Sequence, residues 1–186
     1  TVAAVPHSLQ PIFATAMAEV MSAPIPDDEG VLTAASLDAV VAQAARVGAI
    51  AIGPGLGRHA ATTAFVRAVL EAVDLPAVID ADGLWHLARR PSWLASRGGP
   101  TIVTPHAGEA ARLLGVPRGQ IEDARVASAR RLADTSGAVV VLKGPGTVTA
   151  DPGGTVIVDA VGTAALASAG SGLANARPVE DPLQGI

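Results

Sequence analysis

Between Ala34 and Val47 the apolar residues Leu37, Val40, Val41, Ala44 and Ala45 recur at the spacing of one helix face, with Ser36 placed as the N-cap. Ala49-Ile50-Ala51-Ile52 is then an unbroken apolar run that stops at Gly53-Pro54-Gly55-Leu56-Gly57, the pattern of a buried parallel strand running into a glycine loop. The alternation continues. A helix is predicted from Ala60 to Val73, a strand over Ala77–Ile79, a short helix from Gly83 to Ala88, a strand over Thr101–Thr104 and a helix from Ala107 to Leu114. Ile121, Ala124, Ala127, Ala129 and Leu132 predict one longer helix from Gln120 to Thr135, and Val139–Leu142 is the most strongly β-branched strand. Thr147–Ala150 and Thr155–Val158 flank the turn Asp151-Pro152-Gly153-Gly154 and read as an antiparallel hairpin.

Strands alternating with helices predict an α/β fold with a mostly parallel sheet and helices on both faces, and ligands gathered at the C-terminal strand ends. A length of 186 residues fits a single domain. Hydrophobic residues make up 49% of the chain but aromatics only 2%, so the core must be aliphatic. The thirteen basic residues are scattered and the net charge is −4, which leaves no footprint for nucleic acid. The absence of cysteine excludes thiolate metal sites and thiol nucleophiles. No stretch approaches the roughly 20 apolar residues of a membrane span, so a cytoplasmic protein without a membrane partner is expected.

Four polar or glycine-rich clusters fall directly after predicted strands. Gly53–Gly57 would bring bare amides to an anion or a ribose, or simply make a tight turn. Asp80-Ala81-Asp82-Gly83 offers two carboxylates for a hydroxyl or a hydrated Mg²⁺; alternatively Asp82 caps a helix while Asp80 is paired elsewhere. Thr104-Pro105-His106-Ala107-Gly108-Glu109 places His106 at the crevice edge, where ligand contact is preferred over a structural role. Glu109 would be stabilised at a helix N-terminus without any chemistry. Lys143-Gly144-Pro145-Gly146-Thr147 offers an ammonium, amides and a hydroxyl to phosphate oxygens, but no helix follows it and it is not a Walker A loop.

In order and spacing these segments, with Gly170-Ser171-Gly172 after them, resemble the NAD(P)H-hydrate dehydratases over about Thr1 to Gly172. The resemblance implies a ribokinase-like three-layer αβα sandwich. It implies ADP- or ATP-driven dehydration of NADHX or NADPHX back to NADH or NADPH, with Mg²⁺. By position, Gly57 and His106 would contact the hydrated dinucleotide; Lys143, Gly144, Pro145, Gly146, Thr147 and Gly172 would hold the nucleotide.

Two departures accompany the resemblance. The family's glycine turn ends in an aspartate that acts as base on the substrate hydroxyl, whereas here Leu173 follows Gly172. Loss of a positioned base costs roughly 10²–10⁴-fold in rate. Residues 1–173 are therefore read as a partial dehydratase domain, and 174–186, polar and broken by Pro178 and Pro182, as a disordered or frame-shifted tail. Thr1–Pro6 resembles the family's second strand, so the first strand, its loop and the first helix are expected to be missing. The edge left open would favour association into a homo-oligomer. A ribokinase-like kinase of small molecules such as vitamins, and a catalytically inactive nucleotide-binding remnant, are the alternative functions.

Overall fold

Sheet order follows chain order. The computed structural model describes residues 1–159. Strands β3 (Ile50–Ile52), β4 (Ala77–Ile79), β5 (Thr101–Val103) and β6 (Val139–Leu142) lie side by side and parallel. β7 (Thr147–Ala150) and β8 (Val156–Asp159) then add an antiparallel meander to the far edge. The crossovers hold α3 (Ala60–Ala72), α4 (Ala81–His86), α5 (Ala107–Leu114), α6 (Arg118–Asp123) and α7 (Arg125–Ser136). Each parallel neighbour needs such a return connection, which is why helix and strand alternate. Ahead of this sheet, β1 (Val2–Pro6) pairs in parallel with β2 (Met21–Ile25) through α1 (Gln10–Ala16). α2 (Leu37–Ala44) packs against α3. No described helix is long and apolar enough to cross a membrane.

Strand periodicity separates the two sheet faces. Ile79, Val103, Val140 and Ala150 are paired in one row across four strands, and none exceeds 1% exposure. Over this face lie Phe65, Val66, Val69 and Leu70 of α3, Ala110, Ala111 and Leu113 of α5, and Ala129, Leu132 and Ala133 of α7. Phe65 is the one aromatic ring in this core cluster, as the composition required. Alanine-rich helix faces let the helices approach the sheet closely, so packing is achieved with small side chains. The residues of opposite parity, among them Ile102 and Ile157, are 38% and 62% exposed among the described residues.

Three local expectations are corrected. The helix read over Gln120–Thr135 is two helices, α6 and α7, broken at Ala124 (φ −135°, ψ 53°). The break aims Arg125 at the loop after β6, where its guanidinium donates to the carbonyls of Leu142 (2.9 Å) and Gly146 (3.3 Å). Ser36 does not cap the helix that follows it. Thr33 instead caps the 3₁₀ turn Ala34–Ser36 just before it, by accepting from the Ala35 amide, while the buried Ser36 hydroxyl accepts from the Thr33 amide and donates to Pro26 O at 2.6 Å. The short helix after β4 starts at Ala81, two residues earlier than read, with Ala81 itself at φ +48°.

That early start is possible because two glycines touch. Gly53 has φ +141°, and a Cβ there would lie 1.8 Å from the Asp80 carbonyl oxygen; a Cβ on Gly83 would lie 2.9 Å from Ile52 O and 3.1 Å from Gly53 Cα. The loop after β3 and the start of α4 are thus in backbone contact. Gly53→Ala is expected to destabilise the fold by roughly 2–4 kcal/mol, from combined strain and overpacking. Gly48→Ala, which would meet nothing within 4 Å, should stay within about 0.5 kcal/mol. Urea unfolding of both variants checks this.

Candidate active site at the strand C-terminal ends

Because β3, β4, β5 and β6 are adjacent and parallel, the loops that follow them line one edge of the sheet in chain order. Backbone bonds extend the ladder into those loops: Asp80 N donates to Ile52 O (3.1 Å), Thr104 N to Ile79 O (3.1 Å) and Lys143 N to Pro105 O (2.8 Å). A parallel bridge sets His106 beside Lys143. The four clusters singled out in the sequence are therefore neighbours.

The strongest link among them joins Lys143 Nζ to Asp80 Oδ1 at 2.7 Å. β6 and β4 are separated by β5, a span of about 10 Å at the usual strand spacing. The lysine arm must therefore pass over the end of β5, the segment that carries Thr104, Pro105 and His106. The side chains of Lys143 and Asp80 are only 30% and 11% exposed, so solvent screens the pair less than a surface ion pair. In that segment the Thr104 hydroxyl is buried without a hydrogen-bond partner among the described residues. A buried orphan hydroxyl is costly and is satisfied when a polar group enters.

Asp80 occupies the N-cap position of α4, but its side chain makes no cap bond. Asp82 is not the cap either. Its carboxylate accepts from the Gly57 amide (3.1 Å) and from Arg58 Nε (3.0 Å). One turn further along α4, His86 Nε2 lies 2.9 Å from the Gly57 carbonyl, and its Nδ1 lies 2.8 Å from Thr63 Oγ1. A carbonyl only accepts, so the proton sits on Nε2 and Thr63 donates to Nδ1. Burial pushes the His86 imidazole below its usual 6.5, against opposing contributions from the Gly57 carbonyl and the Asp82 charge. Sequence reading did not single out His86; the available signal was its spacing of four from Asp82, which puts both on one face of α4.

His106 proves to be a helix cap as well as a crevice residue. Its Nδ1 accepts from the amides of Gly108 (3.0 Å) and Glu109 (3.3 Å), while Glu109 Oε2 accepts from the His106 amide (2.8 Å). This reciprocal capping box occupies Nδ1 and leaves the Nε2 side, 3.4 Å from Glu109 Oε1, on an imidazole that is 60% exposed. The first-turn position read for Glu109 is thereby explained. The preferred ligand-contact reading of His106 can thus draw only on Nε2.

The loop from Lys143 to Thr147 turns on Gly144 (φ +140°) and Gly146 (φ +61°), with Pro145 between them. The Thr147 hydroxyl donates to Gly144 O at 3.2 Å, and Arg125 holds the loop from below through Leu142 O and Gly146 O. Sequence reading missed Arg125, which lay inside what looked like a continuous helix. Gly172 and Leu173 fall outside the described residues. Among the described residues no group of three or more carboxylates or histidines is arranged to hold a metal ion.

A family model described as NAD(P)H-hydrate dehydratase matches residues 1–174. A bifunctional NAD(P)H-hydrate repair enzyme of Moorella thermoacetica is 42% identical over 171 residues, covering 91% of this chain and 32% of the relative. The repair enzyme of the same name in Mycobacterium tuberculosis is 51% identical over 131 residues, 70% of this chain and 27% of the relative. The chain thus spans about a third or less of the length of these curated relatives. Among solved structures, the ADP/ATP-dependent NAD(P)H-hydrate dehydratase of Bacillus subtilis, co-crystallised with ATP/Mg²⁺, superposes with a TM-score of 0.70 at 31% identity, over 92% of this chain and 58% of that one. A ribokinase-like superfamily protein of Enterococcus faecalis superposes at 0.66 with 21% identity, over 94% and 58% of the two chains. The fold is ribokinase-like, with its mostly parallel sheet flanked by helices.

The depressed His86 titration has a consequence for stability. Between its folded-state value and 6.5 the unfolded chain binds the proton that the folded chain refuses, so this contribution is complete above pH 6.5 and is lost as pH falls below it. Urea midpoints at pH 7.5 and 5.5 should therefore drop more for the parent than for His86→Gln. Equal drops would contradict the assignment.

Proposed function

On the premise that the chain belongs to the NAD(P)H-hydrate dehydratase family, we propose that it carries the nucleotide-dependent dehydration of NADHX or NADPHX back to NADH or NADPH, in the cytoplasm. Residues 1–173 form the domain responsible, with 174–186 as a tail outside it. Gly57 and the Nε2 side of His106 contact the hydrated dinucleotide. Lys143, Gly144, Pro145, Gly146 and Thr147 hold the phosphates and ribose of ADP or ATP, and Gly172 completes that site. The carrying observation is the gathering of these loops on adjacent strand ends, with one lysine arm spanning them.

Chemically, hydroxyl is a poor leaving group from the hydrated ring. Transfer of the terminal phosphoryl group breaks the O–P bond to the nucleotide and forms an O–P bond to the ring oxygen, and the hydroxyl proton goes to a base. The C–O bond then breaks with departure of phosphate, and an adjacent ring C–H proton leaves as the double bond forms. Little covalent work falls to the protein, so positioning and charge neutralisation dominate. Lys143 supplies one positive charge directly beside glycine amides that can approach an anion. Mg²⁺ normally keeps its waters and binds through phosphates and one or two carboxylates. Asp80, which already accepts from Lys143 through Oδ1, is the carboxylate that would hold such a hydrated ion, and bound Mg²⁺ would neutralise phosphate charge.

Leu173 bears on rate rather than on binding, because a leucine cannot take the hydroxyl proton. It favours a second reading, a nucleotide-binding remnant without turnover. The kinase alternative receives no support from relatives named as hydrate repair enzymes.

Purified NADHX with Mg²⁺ and either ADP or ATP should regenerate NADH absorbance, slowly for the parent and roughly 10²–10⁴-fold faster for Leu173→Asp. Activity in the variant alone would mark a dehydratase that has lost its base, and silence from both would overturn the proposal. Separately, Lys143→Ala should weaken ADP or ATP binding by roughly 10- to 100-fold, the worth of one charge-assisted hydrogen bond, as read by calorimetry.

A further inference from the structure

Gly57 is held from both sides by one short helix. Asp82 accepts from its amide and His86 donates to its carbonyl, at 3.1 and 2.9 Å. The two side chains are four residues apart on α4 and therefore project from the same face. Each grip is itself fixed. Asp82 is also paired with Arg58, the residue after Gly57, at 3.0 Å. His86 is 4% exposed, is bound through Nδ1 to Thr63 in the first turn of α3, and has the Trp85 ring edge-on at 5.0 Å. At φ +71° Gly57 sits in the left-handed region, with no described residue within 4 Å of where a Cβ would be. Its backbone thus faces open space on that side and is restrained by hydrogen bonds rather than by packing. The groups that hold it come from outside the loop.

We propose that Asp82 and His86 act as a positioning clamp that fixes the Gly57 peptide in the orientation that receives the dinucleotide. The inference rests on the reading of Gly57 as a dinucleotide contact. His86 touches no ligand in this scheme and acts through Gly57, so it is a positioning residue rather than a catalytic one. A loop left free would have to be ordered at each binding event, and affinity would fall by the cost of that ordering. Nucleotide binding at Lys143–Thr147 draws on the loop after β6, tied to the α4 segment through Asp80 at the helix start rather than through His86, and should not respond to a change at His86.

The test compares the parent with His86→Leu, which removes both ring hydrogen bonds, and His86→Gln, whose amide can donate to the Gly57 carbonyl again. Two measurements are made on each protein: amide hydrogen exchange across residues 53–58, and equilibrium affinity for NADPH and for ADP. His86→Leu should speed exchange in 53–58 while leaving β4 and β5 unchanged, weaken NADPH by about 10-fold and leave ADP within 2-fold, roughly the precision of such comparisons. His86→Gln should recover most of both losses. Unchanged exchange in 53–58 of His86→Leu would overturn the clamp. So would a parallel fall in NADPH and ADP affinity with faster exchange throughout the sheet, which would mark His86 as a general core residue. If the parent itself bound ADP but not NADPH, the dinucleotide reading would fail, and the exchange comparison would still decide whether the clamp exists.

Discussion

A single lysine side chain crossing the end of one strand to reach an aspartate on the next but one organises this molecule's working edge. The Lys143–Asp80 pair closes a contact between residues 63 apart in sequence. It can form only if β4, β5 and β6 are adjacent, parallel and in the observed register. Breaking such a partly buried pair by removing one partner leaves an uncompensated charge, which costs more than the pair gains by forming. The pair therefore works less as a source of stability than as a constraint on which arrangements of the strand ends are tolerated. It also holds the ammonium in one place at the strand ends, so that the anion contact proposed for Lys143 would not first require ordering of a flexible arm.

Around that arm the loops are held by backbone rather than by bulk. Gly53 and Gly83 bring two chain segments within contact distance, and the gripping of Gly57 by Asp82 and His86 extends the same principle one turn further. On the opposite flank Arg125 collects the carbonyls of Leu142 and Gly146, leaving the Lys143–Thr147 loop fastened from beneath. Each loop thus has a partner outside itself, which is how glycine-rich segments can be permissive in conformation yet fixed in place.

Elements set by local pattern were legible in the chain. Val139–Leu142 and Ala77–Ile79 have the observed bounds, because a β-branched or apolar run bounded by glycine and polar residues leaves little choice. The hairpin was legible from its Asp-Pro-Gly-Gly turn. β2 was not read, since Met21-Ser22-Ala23-Pro24-Ile25 lacks clean alternation and carries a proline, which weakens any strand signal. The break at Ala124 was hidden for another reason: the apolar spacing runs through it, and the contacts that accompany it, from Arg125 to Leu142 O and Gly146 O, are distant in sequence. The same distinction governs the site. Clusters after strands could be named from sequence, but the partner of Asp80, the capping role of His106 and the relevance of His86 depend on contacts between segments 3 to 63 residues apart, and only the shortest of these leaves a local signature.

Binding and chemistry are separated along this chain. Most of the groups proposed to hold dinucleotide and nucleotide lie before residue 160, on strand ends that the sheet itself positions. The base expected of the family falls on Leu173, beyond them. An interaction made equally in ground and transition states lowers the dissociation constant without accelerating the chemical step. The roles proposed for Lys143, the glycine amides and Gly57 are of that kind, so affinity would be retained even where turnover is slow. A dehydratase and an inactive nucleotide-binding remnant would share the same described architecture and the same ligand affinities. What separates them is a proton acceptor that contributes almost nothing until the ring hydroxyl begins to attack the terminal phosphorus, and this is why the fold and the binding loops of such a protein can persist while its rate is lost.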